Sequence, residues 1–337
     1  MKKLKGAVVG CGMISEFHLK GWERIPEVEI VALVSRNKIN AEGKRIFAPN
    51  AKIYTDYKEL FKKEILDFVD ILTPPMVHKE YILEAKKHHI HIICQKPICD
   101  NIEDAREVVQ KMKDYGKLFS IHENHRYRPW FQVVKNKMDE GFFGTPKFIR
   151  AYQHNPSEPG VFYKQKMNPG VLLEHGTHLV DMIHALSGSP IQVYCSLRHV
   201  SNNLIGESLA HVVYEYDNAT AIVDVAWKPG GTLQAGFILE GTEGEACFSG
   251  SLVRGGKSRF ILTKGKKIVL DEMRNSTVDY EEAFYLFERE CTDRMLDGKI
   301  KDITQSGMEN LKSLESTFAA YHSAYSNSIR IINHHIY

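Results

Sequence analysis

A pair of glycines near the start of the chain has the spacing and setting of a phosphate-binding turn. Residues 7–12 read AVVGCG and join an apolar run to a stretch with helical spacing that begins near Ile14. Gly10 permits a tight turn, and Gly12 lets backbone N–H groups at the start of a helix approach a pyrophosphate. A turn with no ligand is the alternative interpretation of so short a motif. The preceding strand and the following helix favour a dinucleotide site formed by Gly10, Gly12, Met13 and Ile14.

The end of the second predicted strand bears on which dinucleotide would bind. NAD enzymes commonly carry an acidic residue about 20 residues after the glycines, where it binds the ribose hydroxyls. Here the sequence reads Ser35, Arg36 and Asn37, with no carboxylate. Because Ser35 and Arg36 can donate hydrogen bonds to a 2′-phosphate, we expect NADP to be favoured over NAD. In the alternative, Arg36 points into solvent and NAD binds.

Two further loops follow the next long predicted strands. Residues 73–78 read TPPMVH, and residues 94–97 read CQKP. The ligands of open α/β sheets bind at the carboxyl ends of the strands, which is where these loops are expected to lie. We therefore predict that five loop residues contribute to the cofactor site, namely Thr73, Pro74, His78, Gln95 and Lys96.

A polar stripe follows one side of a predicted helix at residues 171–186. Glu174, His178 and Asp181 are four and three residues apart, so on an α-helix they share one side, opposite an apolar face. His175 lies about 100° around the same helix and is expected to be a packing residue or a secondary polar residue. A histidine titrates near neutral pH and can take or return a proton. The stripe therefore indicates acid–base chemistry.

The elements that would position these residues fall into two groups. Up to about residue 121, short apolar runs alternate with amphipathic stretches, which is typical of repeated βα units and a parallel sheet. The apolar runs predict strands at 6–9, 30–34, 68–72, 90–94 and 118–121. The stretches between them predict helices at 14–25, 38–47, 57–63, 78–87 and 102–115. From residue 146 to residue 269, longer β-rich runs are joined by short turns, which favours an antiparallel sheet. The predicted fold class is α/β, with an N-terminal Rossmann domain (1–122) built on a doubly wound parallel sheet, followed by an α+β domain (123–337) with a large, mostly antiparallel sheet.

Composition argues against several classes of protein. The chain has 337 residues, which is longer than a single hydrophobic core usually supports. Its net charge is +2, and its Lys and Arg residues are spread along the sequence. We therefore expect neither a nucleic-acid partner nor a membrane partner. The N-terminal apolar run is too short for a signal peptide, which predicts a cytoplasmic protein. The six cysteines form no CxxC pair, and the group of His88, His89 and His91 has no nearby acidic or cysteine ligand, so no metal site is predicted.

Taken together, the motifs resemble those of the Gfo/Idh/MocA family of glucose-fructose oxidoreductase and inositol dehydrogenase relatives. The Gly-x-Gly turn, the Thr-Pro-x-x-x-His segment and the Lys-Pro pair occur in the family's order, and residues 124–129 and 170–181 are similar to two further family segments. The chain departs from the family pattern at two positions. Gln95 replaces the usual Glu before Lys96, and Glu174 replaces the Asp that usually stands four residues before the histidine matched by His178.

The resemblance implies an NAD(P)-dependent oxidoreductase that transfers a hydride between nicotinamide and a hydroxyl or ketone carbon of a sugar, a sugar derivative or a cyclitol. His178 would be the general acid or base, and Lys96 would stabilise the developing alkoxide. Glu174 would bind a second hydroxyl or orient the histidine. Residues 152–169 would line the substrate pocket or, alternatively, form an oligomer contact. The substrate is expected to contact Arg126, Tyr127, His154, Tyr163, Glu174 and His178.

Two other functions are compatible with the same motifs. Some relatives oxidise a sugar transiently, eliminate a glycosidic group and restore the hydride, so these glycosidases or lyases show no net redox change. Others are non-enzymatic NAD(P)-binding regulators, an interpretation that loss of the lysine and the histidine would favour, whereas both are present here. The resemblance also implies a small sugar-like substrate and assembly as a homodimer or a homotetramer, through the C-terminal domain.

Overall fold

The computed structural model describes residues 3–156, 170–200, 204–253 and 255–332. Contacts divide the chain into two units, the first formed by Met1–Asn124 with Glu281–Leu311 and the second by His125–Tyr280 with Lys312–Tyr337. The predicted division at residue 122 into a cofactor domain and a substrate domain is a statement about function, and it stays a prediction.

The first unit contains a six-stranded parallel sheet. In chain order its strands are β1 (Leu4–Val9), β2 (Val28–Val34), β3 (Lys52–Tyr54), β4 (Phe68–Ile71), β5 (His91–Gln95) and β6 (Phe119–His122). Their order across the sheet is β3-β2-β1-β4-β5-β6, and every neighbouring pair is parallel. This is the strand order of a Rossmann sheet, so the predicted doubly wound sheet is confirmed. Only the short β3 was not predicted from the sequence.

Five helices connect these strands, and each lies where the sequence predicted one. They are α1 (Ser15–Glu23), α2 (Lys38–Lys44), α3 (Tyr57–Lys63), α4 (His78–Lys87) and α5 (Ile102–Met112). Three of them begin at a side-chain cap, because Asn37, Asp56 and Asn101 accept hydrogen bonds from backbone N–H groups of the helix that follows. Such caps fix where each helix starts relative to the strand before it.

The second unit is built on a nine-stranded sheet. Its strands are β7 (Pro146–Asn155), β8 (Gln192–Arg198), β9 (Leu209–Glu215), β10 (Thr220–Trp227), β11 (Gln234–Gly241), β12 (Gly244–Ser249), β13 (Lys257–Lys264), β14 (Lys267–Asn275) and β15 (Arg330–Ile331). They are ordered β14-β13-β12-β11-β7-β10-β9-β8-β15. Neighbours are antiparallel apart from β7 and β10, which are parallel. The predicted large, mostly antiparallel sheet is therefore confirmed.

The remaining helices include the one that carries the predicted polar stripe. A π-helical turn (Leu172–Gly176) leads directly into α7 (Thr177–Ser187). The other long helices are α6 (Pro129–Asp139), α8 (Ser276–Asp297) and α9 (Gly307–Ser326), and short 3-10 turns occupy Pro75–Val77, Asn124–Tyr127 and Ile300–Asp302. An aromatic cluster forms part of the core of the second unit, where Trp130 of α6 stacks on Phe248 of β12 with ring centroids 4.2 Å apart.

A buried polar cluster lies inside the first unit. The Nδ1 atom of His18 is 2.9 Å from a carboxylate oxygen of Asp70 and 3.7 Å from one of Glu288, and all three side chains are fully buried. Trp22 donates its indole N–H to the same Asp70 oxygen over 2.9 Å. Burial, and after it the negative charge of Asp70, raises the pKa of Glu288 well above its ordinary value. The surroundings of Glu288 therefore favour the protonated form of its carboxyl group.

Replacing Glu288 by Gln should change how stability depends on pH. The unfolded chain ionises Glu288 above its ordinary pKa of 4.5, whereas the folded chain keeps the proton. The stability that this proton linkage contributes is therefore complete below that value and is lost as the pH rises towards the raised pKa of the folded state. Gln cannot ionise. We therefore expect the free energy of unfolding of the variant, relative to that of the wild type, to increase as the pH rises from about 5 to about 8.

Chemical denaturation at the two pH values measures this change. The exposed Glu103 of α5 offers a matched control, since Glu103→Gln should show no comparable trend. A difference between Glu288→Gln and the wild type that stays constant with pH would contradict a protonated Glu288.

All six cysteines lie among the described residues and are free thiols. Across the described ranges, no helix combines the length and the apolar character that crossing a bilayer requires.

Candidate active site

The glycine turn has the geometry that its sequence predicted. Gly10 has a φ of +110°, and a Cβ there would lie 2.7 Å from the Leu72 carbonyl group. The N–H of Gly10 donates to Val34 over 2.9 Å, which seats the turn between the ends of β1, β2 and β4. Gly12 is exposed, and a Cβ there would meet no protein atom within 4 Å. The turn is thus fixed at Gly10 and open at Gly12, where a ligand can approach the backbone.

Residues around the turn line a groove on the surface of the first unit. The lining includes Cys11, Gly12, Met13, Ile39, Asn40 and Lys44. Met13 is 72 % exposed, and Ile14, the next predicted cofactor contact, is partly buried at the start of α1. The groove therefore contains two of the predicted cofactor residues and extends from them to α2.

The residues after β2 have different surroundings from one another. Ser35 is partly buried and donates its backbone N–H to Tyr54 over 3.0 Å. Asn37 is the cap of α2, since its side-chain oxygen accepts the N–H of Ile39 over 3.1 Å. Arg36 is exposed, so its guanidinium group is accessible to a bound molecule.

His78 joins the two loops at the carboxyl ends of β4 and β5. Its Nδ1 atom lies 2.9 Å from the carbonyl oxygen of Pro97, and its Nε2 atom lies 2.7 Å from that of Thr73. The residue is fully buried. Burial lowers the pKa of His78, although the two carbonyl groups oppose that shift. Thr73 and Pro74 remain partly exposed, so these two predicted contacts are more accessible to a ligand than His78 itself.

Lys96 follows β5 and is partly buried. Its backbone N–H donates to the side-chain oxygen of Gln95 over 2.8 Å. The side-chain nitrogen of Gln95 lies 3.0 Å from Nε2 of His18. The loop thus presents a lysine at the same edge of the sheet as the glycine turn, while the Gln95 side chain faces the buried polar cluster.

In the second unit, two nonlocal side chains anchor the turn that carries Glu174. The Glu207 carboxylate accepts the N–H groups of Gly170 and Leu172 over 2.8 and 2.9 Å. The Tyr321 hydroxyl donates to the same carboxylate over 2.7 Å and accepts the N–H of Leu173 over 3.0 Å. Burial is the largest influence on the pKa of Glu207 and raises it, while these hydrogen bonds lower it. No sequence motif pointed to Glu207 or Tyr321.

The polar stripe is not the regular α-helical stripe that the spacing predicted. Glu174 lies in the π-helical turn, where the backbone is wider than in an α-helix, so the four-residue spacing to His178 does not fix a shared side. Both side chains are partly buried. Asp181, in contrast, is fully buried, and its carboxylate accepts a hydrogen bond from the Ser313 hydroxyl over 2.7 Å. Single π-helical turns often occur at functional sites, which agrees with the predicted roles of Glu174 and His178.

Arg126 pairs with Asp181 inside the second unit. Its Nε and Nη2 atoms donate to the two carboxylate oxygens over 2.5 and 2.8 Å, in the two-point geometry that arginine favours. Arg126 and its neighbour Tyr127 are only 6 % and 5 % exposed. This arrangement supports a role for Arg126 in holding α7 in place, whereas direct substrate contact stays a prediction.

The two histidines of the turn and α7 have distinct neighbours. His178 stacks on His125, with ring centroids 4.0 Å apart. The ring nitrogens of His175 lie 3.4 Å from the Gln153 side-chain nitrogen and 3.2 Å from that of Asn155.

His154 is the β7 residue between Gln153 and Asn155, and side chains alternate across a strand. His154 therefore faces away from the side of the sheet that contacts His175. Burial, rather than any nearby charge, is the main cause that lowers the pKa of His154. The structure thus does not bring His154 together with the turn that carries Glu174. Tyr163, another predicted substrate contact, lies outside the described residues.

Two models of one protein family match most of the chain. The model of an oxidoreductase family with an NAD-binding Rossmann fold, GFO_IDH_MocA, matches residues 4–123, and the GFO/IDH/MocA C-terminal domain matches residues 131–247. The chain belongs to the GFO/IDH/MocA family. This confirms the resemblance and, with it, the prediction of an NAD(P)-dependent oxidoreductase.

Individual relatives agree with this assignment. A D-apiose dehydrogenase from Rhizobium rhizogenes is 26% identical over 335 residues, covering 96% of this chain and 96% of the relative. A D-apiose dehydrogenase from Paraburkholderia graminis is 29% identical over 67% of this chain and 61% of its own length. The fold is also similar to that of an Agrobacterium radiobacter oxidoreductase crystallised with NAD+, L-tartaric acid and magnesium, with a TM-score of 0.86 and 24% identity over 98% of this chain and 99% of that one.

Alanine at the two turn glycines should affect different properties, which are stability at Gly10 and cofactor binding at Gly12. Gly10→Ala places a side chain at positive φ and against the Leu72 backbone, so we expect it to destabilise the chain by about 1–3 kcal/mol or more. Gly12→Ala meets no protein atom and should change stability by less than about 0.5 kcal/mol. It should nevertheless weaken binding of nicotinamide dinucleotide by about tenfold or more, because the methyl group fills the space that the pyrophosphate needs.

Denaturant unfolding and calorimetric titration with NAD(H) and NADP(H) measure the two effects. If Gly12→Ala bound cofactor as tightly as the wild type, the pyrophosphate would not approach this turn.

Proposed function

We propose that this chain transfers a hydride between a nicotinamide dinucleotide and a hydroxyl-bearing carbon of a sugar, a sugar derivative or a cyclitol. The observation that carries the proposal is the placement of Lys96. It follows β5 at the carboxyl edge of the sheet whose β1 ends in the open turn at Gly12. A cation beside the cofactor edge suits a reaction in which negative charge develops on a substrate oxygen. The two D-apiose dehydrogenases support a carbohydrate substrate.

Oxidation of an alcohol requires the hydroxyl proton to leave as the hydride is transferred. The nicotinamide, when bound, accepts or returns that hydride. We assign proton transfer to His178, whose side chain is partly exposed and has the acid–base chemistry that the step needs. Lys96 donates a hydrogen bond to the same oxygen and stabilises it as the alkoxide forms. Glu174 accepts a hydrogen bond from a second hydroxyl, which would select polyols over simple alcohols.

Alanine substitution should separate chemistry from cofactor binding. We expect Lys96→Ala and His178→Ala each to lower kcat roughly 100-fold or more, because each removes a group that acts on the reacting oxygen. Affinity for the dinucleotide should change little in His178→Ala, and in Lys96→Ala it should change much less than kcat does. Steady-state reduction of NAD and NADP with a panel of sugars and cyclitols, including D-apiose, measures the first effect, and calorimetry measures the second.

Matched controls are the exposed Lys117 and His199, whose alanine variants should behave as the wild type does. Unchanged turnover in both active-site variants would contradict the assigned roles. Release of an aglycone without net cofactor reduction would instead indicate the glycosidase or lyase, and tight cofactor binding without any turnover would indicate the regulator.

For the cofactor, we propose a preference for NADP that depends on Arg36. Its exposed guanidinium group can pair with a 2′-phosphate, and no carboxylate stands beside it at 34–37 to repel that phosphate. Arg36→Asp should lower the ratio of kcat/KM for NADP to that for NAD by roughly 10-fold to 100-fold, the loss of a charge-assisted hydrogen bond. The exposed Lys113→Asp changes charge equally and should leave the ratio unaltered. A ratio unaffected by Arg36→Asp would contradict this preference.

The resemblance to the family also supports a homodimer or a homotetramer as the working form, and the short N-terminal apolar run supports a cytoplasmic location. Light scattering of the purified protein distinguishes these assemblies from a monomer.

A further inference from the structure

The side chain of Gln95 makes two directional contacts whose polarity can be assigned. Its oxygen accepts the backbone N–H of Lys96 over 2.8 Å. Because a backbone N–H can only donate, this contact fixes which end of the amide is the oxygen. The amide nitrogen must therefore face Nε2 of His18, 3.0 Å away.

This orientation fixes the tautomer of His18. The Gln95 amide donates an N–H, so Nε2 of His18 has to accept it and carries no proton. The ring proton of neutral His18 then sits on Nδ1, which donates to the Asp70 carboxylate over 2.9 Å. An unbroken series of hydrogen bonds thus links the Lys96 backbone to the buried Asp70, by way of Gln95 and His18. Each of the three hydrogen bonds joins a donor to an acceptor.

The ring of His18 has little freedom to move within this series. It is fully buried, packs against His122 with ring centroids 4.0 Å apart, and meets Phe284 edge-on at 5.2 Å. The Asp70 oxygen that accepts from His18 also accepts from Trp22. One end of the series is therefore held by the core of the unit, and the other end holds the loop that carries Lys96.

We propose that Gln95 is a positioning residue, which uses His18 and Asp70 to fix the backbone from which the Lys96 side chain reaches the substrate. The inference rests on the proposed function, because it assumes that Lys96 acts on the reacting oxygen. It also explains why an amide suits position 95 in this chain. A glutamate there would present a second acceptor to Nε2, and His18 could meet it only as an imidazolium ion.

The same cluster could be interpreted as a metal site. His18, His122 and Glu288 each offer a ligand atom, and these atoms lie within 4.8 Å of one another. The hydrogen bonds of His18 oppose that interpretation. Nε2 already accepts from Gln95, and Nδ1 carries the proton that Asp70 accepts, whereas a metal would need a bare nitrogen.

The first experiment compares Gln95→Leu and Gln95→Glu with the wild type. Leucine removes both contacts, so we expect kcat to fall by roughly 10-fold to 100-fold while the dissociation constant of the dinucleotide stays within about threefold, as displacement of a catalytic group predicts. The exposed Gln110 of α5 provides controls, since Gln110→Leu and Gln110→Glu should leave kcat unchanged.

Gln95→Glu provides a readout that a merely structural role would not produce. The carboxylate can still accept the Lys96 N–H, but it cannot donate to Nε2 of His18. One of the two contacts is therefore kept. We expect kcat of Gln95→Glu and hydrogen exchange at its Lys96 amide to lie between those of the wild type and those of Gln95→Leu.

Two measurements do not depend on turnover. Hydrogen exchange at the Lys96 amide should be protected in the wild type and at least about tenfold faster in Gln95→Leu. Nitrogen NMR of the whole chain should report neutral His18 with its proton on Nδ1. If no polyol is oxidised, the proposed function fails, but amide exchange still decides whether Gln95 holds the loop.

Three results would overturn the proposal. They are a wild-type kcat in Gln95→Leu, unchanged exchange at Lys96 in that variant, and one tightly held metal ion per chain by elemental analysis. Loss of kcat together with faster exchange would support it.

Discussion

A buried carboxylate on a central strand constrains much of the first unit. Asp70 of β4 is fully buried, and such a group destabilises a fold unless it is paired or hydrogen-bonded. Trp22 and His18, both on α1, donate to it. When Nδ1 of His18 donates to Asp70, the other ring nitrogen, Nε2, faces Gln95 at the end of β5. The need to satisfy one charge therefore determines side-chain geometry from α1 to the loop that carries Lys96.

In the second unit, buried backbone N–H groups need hydrogen-bond acceptors, and side chains from distant parts of the unit provide them. A helical start leaves backbone N–H groups without partners inside the helix, and here the turn begins in a buried setting. Glu207 accepts the N–H groups of Gly170 and Leu172, and Tyr321 accepts that of Leu173. These anchors act on backbone atoms and leave the Glu174 side chain partly exposed. In both units, a residue proposed to contact substrate stands on backbone that buried polar groups hold.

The fold could be predicted largely because its strongest signals are local. Strands covered on both faces read as apolar runs, and helices with one buried side read as amphipathic stretches, so five of the six strands of the parallel sheet were predictable. β3 was not, because three residues are too few to show a pattern. The glycine turn was predictable for the same reason, since Gly10 and Gly12 lie between a strand and a helix that the sequence itself indicates.

The parts of the site that escaped prediction depend on contacts between distant residues. The wide turn at Glu174 follows a stretch compatible with a regular helix, and its anchors on Glu207 lie 35 and 37 residues away. The ion pair of Arg126 joins it to Asp181, 55 residues further along the chain. The role of Gln95 depends on His18, 77 residues before it. Motif spacing cannot show such pairings.

The discontinuity of the first unit affects how the chain folds during synthesis. Residues Glu281–Leu311 belong with the N-terminal 124 residues, and they supply Phe284 and Phe287, whose rings pack on His122 at 4.8 and 4.2 Å. A ribosome makes the entire six-stranded sheet well before it reaches these residues, so a domain that would usually complete folding first has to wait. Until then, the hydrophobic covering of His18 and His122 is missing. The Rossmann unit of this chain is therefore completed only after residues 281–311 have been synthesised, long after its six strands.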